Sequence, residues 1–192
     1  MSQYNPLIHH RRSIRLKGYD YAQEGLYFIT ICCFENKHLF GKIMNGVMVL
    51  NEAGKVAEKC WLEIPEHFKN VVLHAFVIMP NHVHGILEIV RAGAKKEINM
   101  DRAGAKNFSP ERVDIIGDRK SPLPQSPSRT IGSVVRGFKI GVTKWMRQHT
   151  DVVNVWHRNY YDIIIRNEQS YNNISKYIVN NPINWRDDRF LN

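Results

Sequence analysis

The sequence predicts an α+β fold: a ferredoxin-like βαββαβ sandwich, with an antiparallel sheet and one more helix at the C-terminal end. Three observations carry this expectation. Runs rich in β-branched and aromatic residues recur at 27–34, 71–79, 82–90 and 160–165. Apolar residues at helical spacing fill 51–68 and 130–149 between them. The order that results, strand, helix, strand, strand, helix, strand, gives four strands in one sheet with two helices on one face, and leaves the other face open for a site. A length of 192 residues with 43% hydrophobic content suits one domain with a real core. The whole chain, 1–192, is read as that domain, with a basic N-terminal arm at 1–25 and a flexible insertion at about 91–129.

Tyr27-Phe28-Ile29-Thr30-Ile31-Cys32-Cys33-Phe34 is almost continuously apolar, as a central strand is. Asn45-Gly46 is a turn signal, and Val47–Leu50 after it is a short extra strand. Asn51 is a plausible N-cap for a helix to about Phe68, in which Val56, Cys60 and Ile64 recur with Ala53, Ala57 and Trp61 beside them. The runs at 71–79 and 82–90, joined by Pro80-Asn81, form an antiparallel pair. The insertion repeats Arg-Ala-Gly-Ala-Lys at 91–95 and 102–106 and then turns Pro- and Ser-rich, a loop too long to belong to a compact core. Structure resumes at Thr130–His149, a helix with Ile131, Val134, Phe138, Val142 and Trp145 on one stripe. Tyr160–Ile165 is the last strand. Asn167-Glu168 opens a final helix to about Asn180, which Pro182 stops.

The formal charge of +9 is the electrostatic footprint of a polyanion binder. Cys32, Cys33 and Cys60 form no Cys-x-x-Cys pair, which fits small buried residues in a reducing compartment rather than a disulfide framework or a zinc cluster. No early apolar stretch is long enough to span a bilayer or has the order of a signal peptide, so the expectation is a cytoplasmic protein without a membrane partner.

The chemistry centres on Asn81-His82-Val83-His84-Gly85. Side chains on a strand alternate between faces, so His82 and His84 leave one face while Val83 anchors the other. Two neutral imidazoles on a rigid strand are half of a metal site. The final helix offers what is missing. Tyr177 and Asn181 are four residues apart and share a helical face. An Asn carbonyl oxygen can complete a site with two imidazole nitrogens, and mixed nitrogen–oxygen ligation with open positions suits Mg²⁺ or Mn²⁺ working on phosphate. Tyr177, a phenol with an ordinary pKa of about 10, becomes a competent nucleophile when a divalent cation withdraws charge from the phosphorus it attacks. Tyr160, Tyr161 and Tyr171 have no amide four residues on.

At these residues the chain resembles a known family. Pro80-Asn81-His82-Val83-His84 resembles the histidine–hydrophobic–histidine (HUH) motif of single-tyrosine HUH transposases, and Tyr177-x-x-x-Asn181 resembles their catalytic helix. The opening Arg11-Arg12-Ser13-Ile14-Arg15-Leu16-Lys17-Gly18-Tyr19-Asp20-Tyr21 is similar to that of REP-associated tyrosine transposases. So are Trp156-His157-Arg158-Asn159-Tyr160-Tyr161-Asp162 and Asn181-Pro182-Ile183-Asn184-Trp185. The resemblance covers nearly all of the chain apart from the insertion. It implies a ferredoxin-like nuclease that cuts single-stranded DNA beside a hairpin through a covalent 5′-phosphotyrosine, as a monomer or a homodimer. Carried onto this chain, His82, His84 and Asn181 hold the metal and Tyr177 attacks. Asn181 in place of Gln favours the REP-associated branch. Arg11, Arg12, Arg15 and Lys17 would hold phosphates or a short guide sequence near the foot of the hairpin, and Arg136, Lys139 and Lys144 would line the backbone path. Two other readings share these residues: a non-catalytic nucleic-acid-binding module on the same fold, and a rolling-circle replication initiator or relaxase.

Overall fold

The computed structural model describes residues 20–91 and 130–187. Arg11, Arg12, Arg15 and Lys17 lie outside the described residues, as does the insertion from residue 92 to 129. In chain order the elements are β1 (Gly25–Cys32), β2 (Gly41–Met44), β3 (Val47–Leu50), α1 (Glu52–Leu62), α2 (Ile64–His67), β4 (Val71–Ile78), β5 (His82–Ile89), α3 (Ile131–His149), β6 (Tyr161–Ile165) and α4 (Glu168–Asn180).

The main sheet has four strands in the order β4-β5-β1-β6, with every neighbouring pair antiparallel. This is the ferredoxin-like arrangement: the apolar run at β1 and the histidine strand β5 are the two central strands. β2 and β3 are a separate hairpin. At its turn Asn45 and Gly46 both have positive φ, 51° and 75°, the twist that a two-residue hairpin loop needs and that Asn-Gly supplies at low cost. The β4–β5 connection is equally short, with the Met79 N–H donating to the His82 carbonyl across Pro80-Asn81.

The helix starts follow the caps. Asn51, Thr130 and Asn167 each accept from the backbone N–H three residues on. The helix expected over 51–68 is instead two pieces, α1 and α2. Pro65 has no N–H to return to the Trp61 carbonyl, and its ring crowds that turn, so the ladder ends after Leu62. On α3 the buried stripe runs through Ile131, Val134, Val135, Phe138, Val142 and Met146. Trp145 lies at its margin, stacked on the His149 ring at 4.6 Å. Tyr21 is already in the core, with its ring 6.2 Å from Tyr27.

The sheet separates two layers. On one face Tyr27, Ile29, Ile31, Val83, Leu87 and Ile89 pack with α1 and α3 around Trp61 and Phe138. On the other, Leu26, Phe28, Ile86 and Ile165 pack with Tyr171 and Ile178 of α4. α4 lies over β4 and β5. Cys32 and Cys33 are buried and Cys60 is half-buried, and none of the three is in a disulfide. Burial pushes the thiols of Cys33 and Cys60 up from the usual cysteine range.

Candidate active site

Alternation along β5 sends Val83 into the α1–α3 layer and His82 and His84 to the α4 face. Both imidazoles are fully buried, with ring centroids 4.4 Å apart. Each is oriented through Nδ1. His82 Nδ1 lies 2.8 Å from Asn81 Oδ1. The Asn81 amide Nδ2 donates to the Asn36 carbonyl at 3.2 Å, which identifies Oδ1 as the acceptor facing His82. His82 therefore carries its proton on Nδ1 and keeps the lone pair on Nε2. His84 Nδ1 lies 2.8 Å from Thr30 Oγ1, and its Nε2 lies 3.2 Å from the Tyr177 hydroxyl. A Tyr177 O–H donating to Nε2 sets the same tautomer in His84, with Nδ1–H donating to Thr30. Metal-ligating histidines are commonly held in this way through the other ring nitrogen.

α4 brings Tyr177 to this pair within a single chain. The Tyr177 ring is 5.2 Å from the His84 ring and meets Phe28 edge-on at 6.2 Å. The phenol is 41% exposed, so it stands at the boundary between the buried histidines and solvent. After α4 the backbone continues in tight turns, and Trp185 arrives 6.0 Å from the His82 ring. Asn181, 2% exposed, is the residue midway between these two anchors. Among the described residues no group of three His, Cys, Asp or Glu stands close enough to hold a metal. At the histidine pair the donors brought together are two imidazole nitrogens, and Asn181 is buried at the C-cap of the helix that carries Tyr177.

The cations named on α3 are placed differently. Arg136 and Lys144 are exposed on a helix that packs against the opposite face of the sheet from the histidines. Lys139 turns inward. Its ammonium donates to the carbonyls of His157 and Asn159 at 2.8 and 2.9 Å and reaches that of Arg158 at 3.5 Å. Burial pushes its pKa down to about 8, against the raising effect of the Cys32 and Cys33 thiols. The structure thus joins His82, His84 and Tyr177 and sets the α3 cations apart from them.

Sequence reading missed Thr30, Asn81 as an orienting group, and Trp185. Thr30 carried a signal, as the one aliphatic hydroxyl in an otherwise apolar and aromatic strand. Asn81 did too, since it directly precedes His82.

The chain matches no protein-family model. It is 49% identical over 189 residues to an uncharacterized protein of Haemophilus influenzae, covering 98% of this chain and 97% of that one. It belongs to one family with that protein. Among solved structures it is similar to a REP-associated tyrosine transposase bound to a REP hairpin, with a TM-score of 0.54 and 17% identity over 96% of this chain and 74% of the other. At that identity the likeness is one of fold.

Proposed function

We propose that this chain, as a member of that family, is a metal-dependent single-stranded DNA endonuclease and strand transferase, a transposase of the HUH type. The observation that carries the reading is the Tyr177 hydroxyl resting 3.2 Å from His84 Nε2 in the same chain, beside a second histidine of matching orientation. The fold likeness to a hairpin-bound transposase and the charge of +9 support the same substrate class.

His82 and His84, through Nε2, and Asn181, through its side-chain carbonyl oxygen, would hold Mg²⁺ or Mn²⁺. Bound there, the cation supplies Lewis-acid polarisation of the scissile phosphate. Thr30 and Asn81 keep the two rings turned so that both Nε2 atoms face the site. Tyr177 Oη attacks phosphorus: the Tyr–O–P bond forms, the bond to the 3′-oxygen of the preceding nucleotide breaks, the phenol loses its proton and the leaving oxygen gains one. The products are a 5′-phosphotyrosine and a free 3′-hydroxyl, and the conserved bond energy allows rejoining. Tyr177 acts in cis. Arg11, Arg12, Arg15 and Lys17 remain assigned to the DNA around the hairpin foot. Arg136 and Lys144, on the far side of the sheet, serve DNA that extends away from the cut.

The test is incubation with hairpin-bearing single-stranded DNA and Mn²⁺, followed by denaturing electrophoresis. A covalent protein–DNA adduct is expected from the unaltered chain and none from Tyr177→Phe. An adduct that persists unchanged in Tyr177→Phe overturns the assignment of the nucleophile.

A further inference from the structure

The segment 156–163 has no part in the chemistry assigned to Tyr177 and the histidines, yet it is built with care. The Trp156 indole N–H donates to the Lys139 carbonyl at 3.2 Å, and the ring packs 5.3 Å from Phe40 and 5.4 Å from Phe138. The His157 N–H donates to the Cys32 carbonyl at 2.9 Å, at the end of β1 where Cys32 lies opposite His82. With Lys139 holding the carbonyls of 157–159, the backbone of this loop is turned inward and the side chains of His157, Arg158 and Asn159 are left exposed.

β6 follows directly. Tyr161 lies opposite Thr30, and Thr30 lies opposite His84, so the three form one cross-strand row on the α4 face. Ile163, Phe28 and Ile86 form the next row. α4 covers β4, β5 and the Ile165 end of β6, but leaves Tyr161 45% and Ile163 54% exposed. Phe28 joins the two regions, 5.3 Å from the His84 ring and edge-on to Tyr177. Phe28, Thr30 and His84 are themselves buried, so the exposed apolar surface at the sheet edge is Tyr161 and Ile163, one strand away from the Phe28 ring that the half-exposed Tyr177 meets. From Tyr161 to His84 is about two strand spacings, roughly 10 Å, the reach of one or two nucleotides of single strand.

We propose that Tyr161, with Ile163 beside it, is a stacking floor for a nucleobase of single-stranded DNA next to the phosphate attacked by Tyr177, and that Arg158 on the clamped loop takes a neighbouring phosphate. The inference rests on the DNA-nicking reading. Single-stranded DNA is the occupant because its bases are free to stack on a side-chain ring, whereas those of a duplex are not. Tyr161 lies in one cross-strand row with Thr30 and His84, and the arginines that precede and follow β6 in the chain, Arg158 and Arg166, are exposed.

The experiment places 2-aminopurine singly at each of the positions flanking the hairpin foot and measures fluorescence, affinity and adduct formation. The expected result is quenching at one position by the unaltered chain and by Tyr161→Phe. Tyr161→Ala should lose that quenching and weaken strand binding about tenfold, within the range for loss of one stacked base. Arg158→Ala should flatten the salt dependence of binding by a slope of about 0.7, one single-strand phosphate. An unaltered chain that forms the adduct but shows no position sensitive to Tyr161→Ala overturns the stacking floor alone. Loss of the adduct in the unaltered chain overturns the nicking reading, while the quenching still decides the floor. Dimerisation of the unaltered chain that Tyr161→Ala abolishes, without change in quenching, assigns the surface to a second copy and overturns the proposal.

Discussion

Asn81 uses both ends of its amide: Nδ2 ties the turn to the Asn36 carbonyl, and Oδ1 sets which nitrogen of His82 carries the proton. Asn81→Ala should therefore leave the sheet intact but weaken Mn²⁺ binding by about 10–100-fold, the usual effect of losing a group that orients a ligand; isothermal titration calorimetry measures it. Tyr177 predicts the opposite sign for metal. Its hydroxyl occupies His84 Nε2, so a cation at that nitrogen must displace it. Tyr177→Phe should bind Mn²⁺ at least as tightly as the unaltered chain while forming no adduct, and tighter binding by the unaltered chain would show that the hydroxyl helps to hold the metal. The histidines and Tyr177 are legible in sequence because strand and helix periods are local. The partnership of Thr30 with His84 is not, because it spans 54 residues and depends on strand register.

At the scale of elements, two devices hold the site in place. Gly85 lies directly after His84 in β5, and a Cβ there would run into the fully buried Trp61 indole. Gly85→Ala should cost about 1–3 kcal/mol by overpacking and shift His84 with the strand, seen as a lower urea midpoint together with weakened metal binding. Lys139 is the second device. Its folded-state pKa of about 8 lies below the unfolded value of about 10.4, so between those pH values the unfolded chain binds more protons and the group's contribution to stability rises with pH. Below about pH 8 both states are protonated and the contribution is flat. The melting temperature of the unaltered chain should therefore gain on that of Lys139→Met as pH rises from 8 to 10. Most elements were readable from periodicity and caps. The break between α1 and α2 had its signal in Pro65, which outweighs an apolar spacing that continues across it.

For the molecule as a whole, the sheet is a partition. α1 and α3 close one face, and α4 crosses half of the other, the face to which the histidines, Phe28 and Tyr161 point. β5 by itself shows no ladder of aromatics, which in sequence argues against base stacking on this face. The edge strand supplies an exposed ring, Tyr161 on β6. Among the described residues no helix is long and apolar enough to cross a membrane.

The sequence by itself determined the order of the elements, the shared face of His82 and His84, and the pairing of Tyr177 with Asn181 on one helix. Each of these follows from a repeat of two or 3.6 residues within a single segment. Only the tertiary structure decided that Tyr177 meets His84 in the same chain, that Lys139 is spent on backbone carbonyls, and that α3 stands behind the sheet. Those outcomes depend on strand register and on which face each helix covers, and both are settled by burial across segments distant in the chain.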